Sequence, residues 1–257
     1  MKPGVGTRLL IGLAIVAGAV PAVAAPAPPA AGKWSYTGAT GPARWAKLDK
    51  SFATCEEGQA QSPIDIPDAK VRKGDFPTML FNYKEGPLAV DLEPYTISVK
   101  FAPGSAVTIE SGRYELQELE FRRPGEHKVD GKSHELEALL IHRTKDGKEA
   151  ILVVPFNRGK ESAAIKKILD NVPAAKGRTN TPEGVKINAV ELLPDSKDYY
   201  AYAGSIDTPP CTENVEWFIF KQTSTASADQ LARMAKLYPA NARPTQGING
   251  RDIRGSR

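Results

Sequence analysis

The sequence predicts a mainly β protein folded as one domain, and three observations carry that reading. Short runs of alternating apolar and polar residues recur through the middle of the chain, punctuated by Gly, Pro and Asp at hairpin-like spacing. Helical periodicity is confined to two segments, 160–171 and 227–238. Neither an internal repeat nor a second linker divides the chain. The 257 residues are 41% hydrophobic and 25% charged, an ordinary globular composition with enough apolar side chains for one large core or two small ones.

Residues 1–24 read as a secretory signal. Lys2 and Arg8 form a basic start, residues 9–20 are an apolar run short for a bilayer span, and Ala22-Val23-Ala24 fits small-x-small cleavage. An uncleaved membrane anchor is the alternative, which run length and cleavage pattern disfavour. No later segment is apolar enough to span, so no membrane span is expected after cleavage. Residues 25–33 are an Ala/Pro-rich linker, and the domain is expected over 34–257. The net charge of +4 includes Lys2 and Arg8, so the processed chain sits near +2 with its charges interspersed. That is no footprint for nucleic acid. Cys55 and Cys211 are the only cysteines. They either bond to each other, as an oxidising compartment permits, or remain two buried thiols, and spacing alone leaves both open.

The domain begins with an aromatic, turn-rich stretch (Trp34, Tyr36, Trp45) read as packing. Strands are expected at 79–83, 88–92, 96–101, 106–110, 113–122 and 134–142. The helix over 227–238 opens on Ser227 and spaces Leu231, Met234 and Leu237 on one face. The strand ending at residue 122 is the unusual one. Glu118, Glu120 and Arg122 share one face, whereas Leu119 and Phe121 share the other. A half-buried strand needs no such row of charges for stability.

The stretch from Glu118 to His127 resembles the metal-binding strand of the alpha-class carbonic anhydrases, in which Gln-Phe-His-Phe-His runs into Ser-Glu-His. Phe121, Glu126 and His127 keep that frame. Further resemblances are Gln61-Ser62-Pro63-Ile64, the 137–142 segment, Tyr202-Ala203-Gly204-Ser205-Ile206-Asp207-Thr208-Pro209-Pro210, Val215-Glu216-Trp217 and Arg243-Pro244-Thr245-Gln246. The match runs from Trp34 to about Ile253. It implies a large, central, mostly antiparallel twisted sheet with a few short peripheral helices. It also implies a Cys55–Cys211 disulfide and a pocket walled by Ile141, Ile151, Ile206 and Trp217. His127 falls on a structural histidine of the family, bonded near Glu137 and Tyr202.

At the family's three zinc-binding histidines this chain has Glu120, Arg122 and Leu139. The threonine that orients the zinc-bound hydroxide and donates to the buried glutamate, here Glu126, is replaced by Asp207. The proton-shuttle histidine is replaced by Tyr95. Family catalysis needs three neutral nitrogen ligands and one open position, and a guanidinium neither binds a cation nor loses its proton. The chain's histidines, His127, His134 and His142, offer no replacement, since the last two lie about 26 Å apart along one strand.

The resemblance therefore implies a carbonic-anhydrase-like protein, exported to the periplasm or outside the cell. It would hold no zinc, lack hydratase activity, and keep a binding or structural role toward a protein or small-molecule partner not named by the sequence. The vestigial pocket is assigned to Glu118, Glu120, Arg122, Glu126, Glu137, Leu139 and Asp207, with Arg122 bonded to Glu120, Asp207 or both. The alternative is an active carbonic anhydrase or other lyase with a relocated metal site. A third reading gathers Glu118, Glu120, Glu137 and Asp207 around a hard cation such as Ca²⁺, against which Arg122 argues.

Overall fold

A mixed sheet of thirteen strands organises the computed structural model, which describes Met1 and residues 34–256. The proposed signal and linker, 1–24 and 25–33, lie outside the described residues apart from Met1. Across the sheet the strands run in the order Arg178–Asn180, Val90–Leu92, Ile97–Lys100, Gly112–Arg122, Leu136–Arg143, Glu149–Arg158, Glu213–Phe220, Tyr199–Ser205, Arg254–Ser256 and Arg72–Gly74. Most neighbours are antiparallel. Glu149–Arg158 runs parallel to Glu213–Phe220, and Arg254–Ser256 runs parallel to Arg72–Gly74.

Alternation along the strands divides the apolar side chains between two faces. Leu119, Phe121, Ala138, Leu140, Leu152, Val154, Phe218 and Phe220 join the large core. Two helices, Ala163–Leu169 and Ala228–Leu237, cover that core with Ile165, Ile168, Leu231 and Met234. The opposite face carries a smaller apolar cluster that includes Leu139, Ile151, Val153, Tyr202, Val215 and Trp217. The pocket residues belong to this second face.

The six expected strands are present with ends moved by one or two residues, as Leu80–Asn82, Val90–Leu92, Ile97–Lys100, Ala106–Ile109, Gly112–Arg122 and Leu136–Arg143. The first helix starts three residues later than its periodicity suggests. Ser162 accepts a hydrogen bond from the Ile165 amide and so caps the helix rather than entering it. Ser227 and Gln230 form a capping box on the second. The expectation of only two helical segments needs correction. One-turn α-helices at Trp45–Leu48 and Thr54–Glu57, with short 3-10 turns around them, carry the chain from the aromatic cluster to Cys55. Such short turns have no apolar period to read.

Cys55 and Cys211 form a disulfide that joins this helical segment to the loop carrying Asp207, across 156 residues. A crosslink closing so long a loop stabilises by up to about 5 kcal/mol in the chain-entropy description. Reduction is therefore expected to lower the melting temperature by at least about 5 °C, read by differential scanning calorimetry with and without reductant. An unchanged melting temperature, or two reactive thiols in the native protein, contradicts this.

Candidate functional site

The floor of the candidate site is set by strand register. Glu120 lies opposite Leu139 and Arg122 opposite Glu137 on the neighbouring strand. On its other side Glu120 pairs with Ser98. Since Leu119 and Phe121 are committed to the large core, Glu120 and Arg122 must point into the opposite face.

Arg122, 2% exposed, meets two carboxylates there. Its Nε donates to Asp207 Oδ2 at 2.6 Å and its Nη2 to Asp207 Oδ1 at 3.1 Å, a two-point fork. Its Nη1 lies 2.7 Å from Glu120 Oε2 and also bonds the Phe121 carbonyl at 3.4 Å. Burial works against the guanidinium's charge, but Asp207 and Glu120 more than offset it and raise its pKa well above the usual value. Burial pushes Asp207 up as well. The Arg122 guanidinium and a hydrogen bond with Glu126 outweigh it and hold the Asp207 carboxyl low.

Glu126 completes the group. Its Oε1 accepts from the Arg243 amide at 2.7 Å and lies 3.6 Å from Arg122 Nε. Its Oε2 is buried and meets no donor among the described residues. Burial first, then the Asp207 carboxylate, raise Glu126 well above the ordinary carboxylate range. One carboxylate, Asp207, is thus bonded in two places to one guanidinium, beside a carboxyl, Glu126, whose ionised form is disfavoured. Glu120 is half-buried, and burial raises its pKa despite Arg122.

The seven residues assigned to the pocket do not form one group. Glu118 is half-buried and pairs away from the Arg122 cluster, with Lys100 Nζ bonding its Oε1. Glu137 lies beneath the floor. Its Oε1 accepts from the His127 amide at 3.0 Å and its Oε2 is 3.2 Å from His127 Nδ1, while His127 Nε2 is 2.8 Å from the Tyr202 hydroxyl. Leu139 is buried in the small apolar cluster with Ile151 and Trp217, and Ile141 and Ile206 are half-buried against it. Arg123 is half-buried over the Tyr238 ring and donates to the Tyr238 carbonyl.

Sequence reasoning missed the roles of Arg243 and Ser62. Arg243 Nη1 donates to the Ser62 carbonyl, and Nη2 donates to the Cys55 carbonyl and to Gln61 Oε1. Ser62 Oγ accepts from Tyr202 and from the Ser205 amide. These bonds fix the Asp207 loop between distant segments. Gly204 is required for them, because a Cβ there would stand 2.1 Å from Ser62 Oγ. Bonds between residues 181 apart leave no periodic signal, although Arg243 and Ser62 fall within segments that the family resemblance marks.

The donor set does not fit zinc. The floor offers one half-buried carboxylate, a buried guanidinium and a leucine. Among the described residues no three His, Cys, Asp or Glu side chains gather as a metal-binding group. His134 bonds Asn157 at the surface. His142 is buried between the Tyr83 hydroxyl and the Leu140 carbonyl, and burial pushes its pKa down to about 4, so it is neutral at pH 7. At the family's shuttle position, Tyr95 stacks on Trp34 with ring centroids 5.5 Å apart and donates to the Trp34 carbonyl.

This sheet, with a polar floor on the sheet face opposite the two helices, defines a class of protein. Residues 40–257 match the family model for eukaryotic-type carbonic anhydrase, and the chain belongs to that family. It is 34% identical over 221 residues to a carbonic anhydrase of Nostoc sp., spanning 85% of this chain and 84% of that protein. Among solved structures it resembles an alpha-carbonic anhydrase from Thermovibrio ammonificans in complex with the inhibitor sulfanilamide. That similarity has a TM-score of 0.83 and 33% identity, covering 87% of this chain and 98% of the other. It also resembles dioscorin complexed with ascorbate, with a TM-score of 0.80 and 26% identity, covering 86% and 97%.

Two predictions test the floor. Arg122→Ala leaves Asp207 and Glu120 unpaired and is expected to destabilise by about 3–5 kcal/mol in chemical denaturation. Changing Arg122 and Glu120 together to apolar residues costs less than Arg122→Ala alone, and a single-variant loss within about 0.5 kcal/mol contradicts the buried cluster. The second concerns Glu126. Its folded-state pKa is raised, so its contribution to stability is full below the unfolded value and is lost as pH rises toward the folded one. Glu126→Gln keeps a donor and an acceptor but cannot ionise. Its stability relative to wild type is expected to rise as pH climbs above the ordinary glutamate range, and a flat difference contradicts a raised Glu126 pKa.

Proposed function

We propose that this protein is an exported member of the carbonic anhydrase family, periplasmic or extracellular, in which an ion cluster replaces the zinc site. It has no zinc-dependent hydratase activity and acts through binding or as a structural protein. The observation that carries this reading is Arg122, held by Asp207 and Glu120 at the centre of the floor. A fixed guanidinium repels a dication, and all the groups that would bind zinc, orient its hydroxide and relay its proton are changed together. Export is supported by the Cys55–Cys211 disulfide and the signal-like start. No helix among the described residues is long and apolar enough to cross a membrane. Dioscorin, whose fold this chain resembles and which is complexed with ascorbate, supports small-molecule binding as a use of this scaffold.

The names of the relatives favour a second reading, a working carbonic anhydrase with its metal elsewhere. Elemental analysis of protein purified from zinc-supplemented culture separates the two. Far less than one zinc per chain is expected, and one tightly held zinc per chain sinks the proposal. Restoring histidine at 120, 122 and 139 is expected to recover zinc binding, with CO₂ hydration still weak until Asp207→Thr is added. Full activity from the three histidines alone shows that Asp207 has been misread.

A further inference from the structure

We propose that a surface cavity on the helix-covered side of the sheet binds a small carboxylate with a hydrocarbon tail, held by Arg123 and Arg158. The cavity has a volume of about 370 Å³, within the range of small-molecule sites. It lies across the sheet from the Arg122 floor, so the inference goes beyond the reading of that floor and stands whether or not the floor takes zinc.

Three segments meet at the cavity. The turn after Arg123 is pinned to the start of the next strand, where the Gly125 amide donates to the His134 carbonyl at 2.9 Å. Register places Leu136 opposite Phe156, which brings Glu135 alongside the strand end at Arg158. Arg158 in turn pairs with Ala226, and Ser227 then caps the helix Ala228–Leu237. Arg123, Glu135 and Arg158 therefore line the cavity together with Ala228, Leu231 and Ala232 of that helix.

The two guanidinium groups have donors to spare. Arg123 lies over the Tyr238 ring and donates through Nη2 to the Tyr238 carbonyl at 3.2 Å, and its Nη1 makes no bond among the described residues. Arg158 Nε stands 3.5 Å from Glu135 Oε2, an ion pair longer than an ordinary hydrogen bond, between side chains 65% and 44% exposed. So exposed a pair contributes little and gives way to a competing anion. Two cations face one carboxylate in this lining, and the net positive charge attracts an anion and repels an ammonium. A guanidinium fork matches the two oxygens of a planar carboxylate. Ala228, Leu231 and Ala232 have no polar side-chain atom and offer the tail an apolar wall, which a bare inorganic anion would leave uncovered.

The test is calorimetric titration of the purified protein with sodium hexanoate, with sodium acetate and hexylammonium chloride as controls. Saturable binding of hexanoate is expected, at least about tenfold tighter than acetate because its chain covers the helix wall, and absent for hexylammonium. Affinity falls at least about tenfold in Arg123→Gln protein and about threefold in Arg158→Gln protein. It rises in Glu135→Gln protein, where the competing carboxylate is gone, and is lost in Ala232→Glu protein, which fills the cavity with a like charge. Arg158 and Ala232 are exposed, so their variants keep the test valid should Arg123→Gln protein fail to fold. No saturable heat up to about 10 mM hexanoate, acetate or hexylammonium bound as tightly, or unchanged affinity in the Arg158→Gln and Ala232→Glu proteins overturns the proposal. Zinc measured on the same sample decides the reading of the floor separately.

Discussion

A buried guanidinium has to be answered by negative charge, and the geometry of this pocket follows from how Arg122 is answered. Removing an arginine from water costs several kcal/mol, which only close and well-oriented partners offset. Asp207 supplies the planar two-point contact and Glu120 the third bond. A third ionised carboxylate so close would be repelled, and burial together with Asp207 accordingly raises the Glu126 pKa well above the ordinary carboxylate range. The arrangement is a closed charge group, and that closure is what separates it chemically from a site with an exchangeable metal-bound water.

The cluster demands a rigid loop, because a fork to Asp207 tolerates little displacement. That rigidity comes from outside the floor. The disulfide ties Cys211 to the helical segment at Cys55, and Arg243 binds the carbonyls of Cys55 and Ser62. Ser62 and Ser205 exchange hydrogen bonds close to Gly204. Beneath them His127, Glu137 and Tyr202 form a buried chain of bonds that involves no floor residue. The fold's polar scaffold is thus independent of Glu120, Arg122 and Leu139, and the sheet, its two apolar clusters and its loop geometry do not rest on those three side chains.

Much of this was legible in the sequence, for identifiable reasons. Alternation at Leu119 and Phe121 against Glu120 and Arg122 predicts which face each residue takes, since strand geometry leaves no other choice. The motif frame around Phe121, Glu126 and His127 places the altered positions on one floor. What escaped is what depends on long-range placement. Glu118 looks equivalent to Glu120 along its strand, and only the neighbouring strand brings Lys100 to it. By alternation Glu137 reads as a pocket residue, yet the turn before it brings His127 within bonding distance. The raised pKa of Glu126 depends on burial and on Asp207 brought beside it by a distant loop, which no one-dimensional pattern records.

In the proposed arrangement Arg122 and its two carboxylates occupy the space where a zinc ion would sit. Diffraction from crystals grown in excess zinc, collected on both sides of the zinc absorption edge, addresses it directly. No anomalous peak is expected between residues 120, 122 and 139, with continuous density from Arg122 to Asp207 and Glu120. A strong peak at that position, with Arg122 swung away from Asp207, would contradict it.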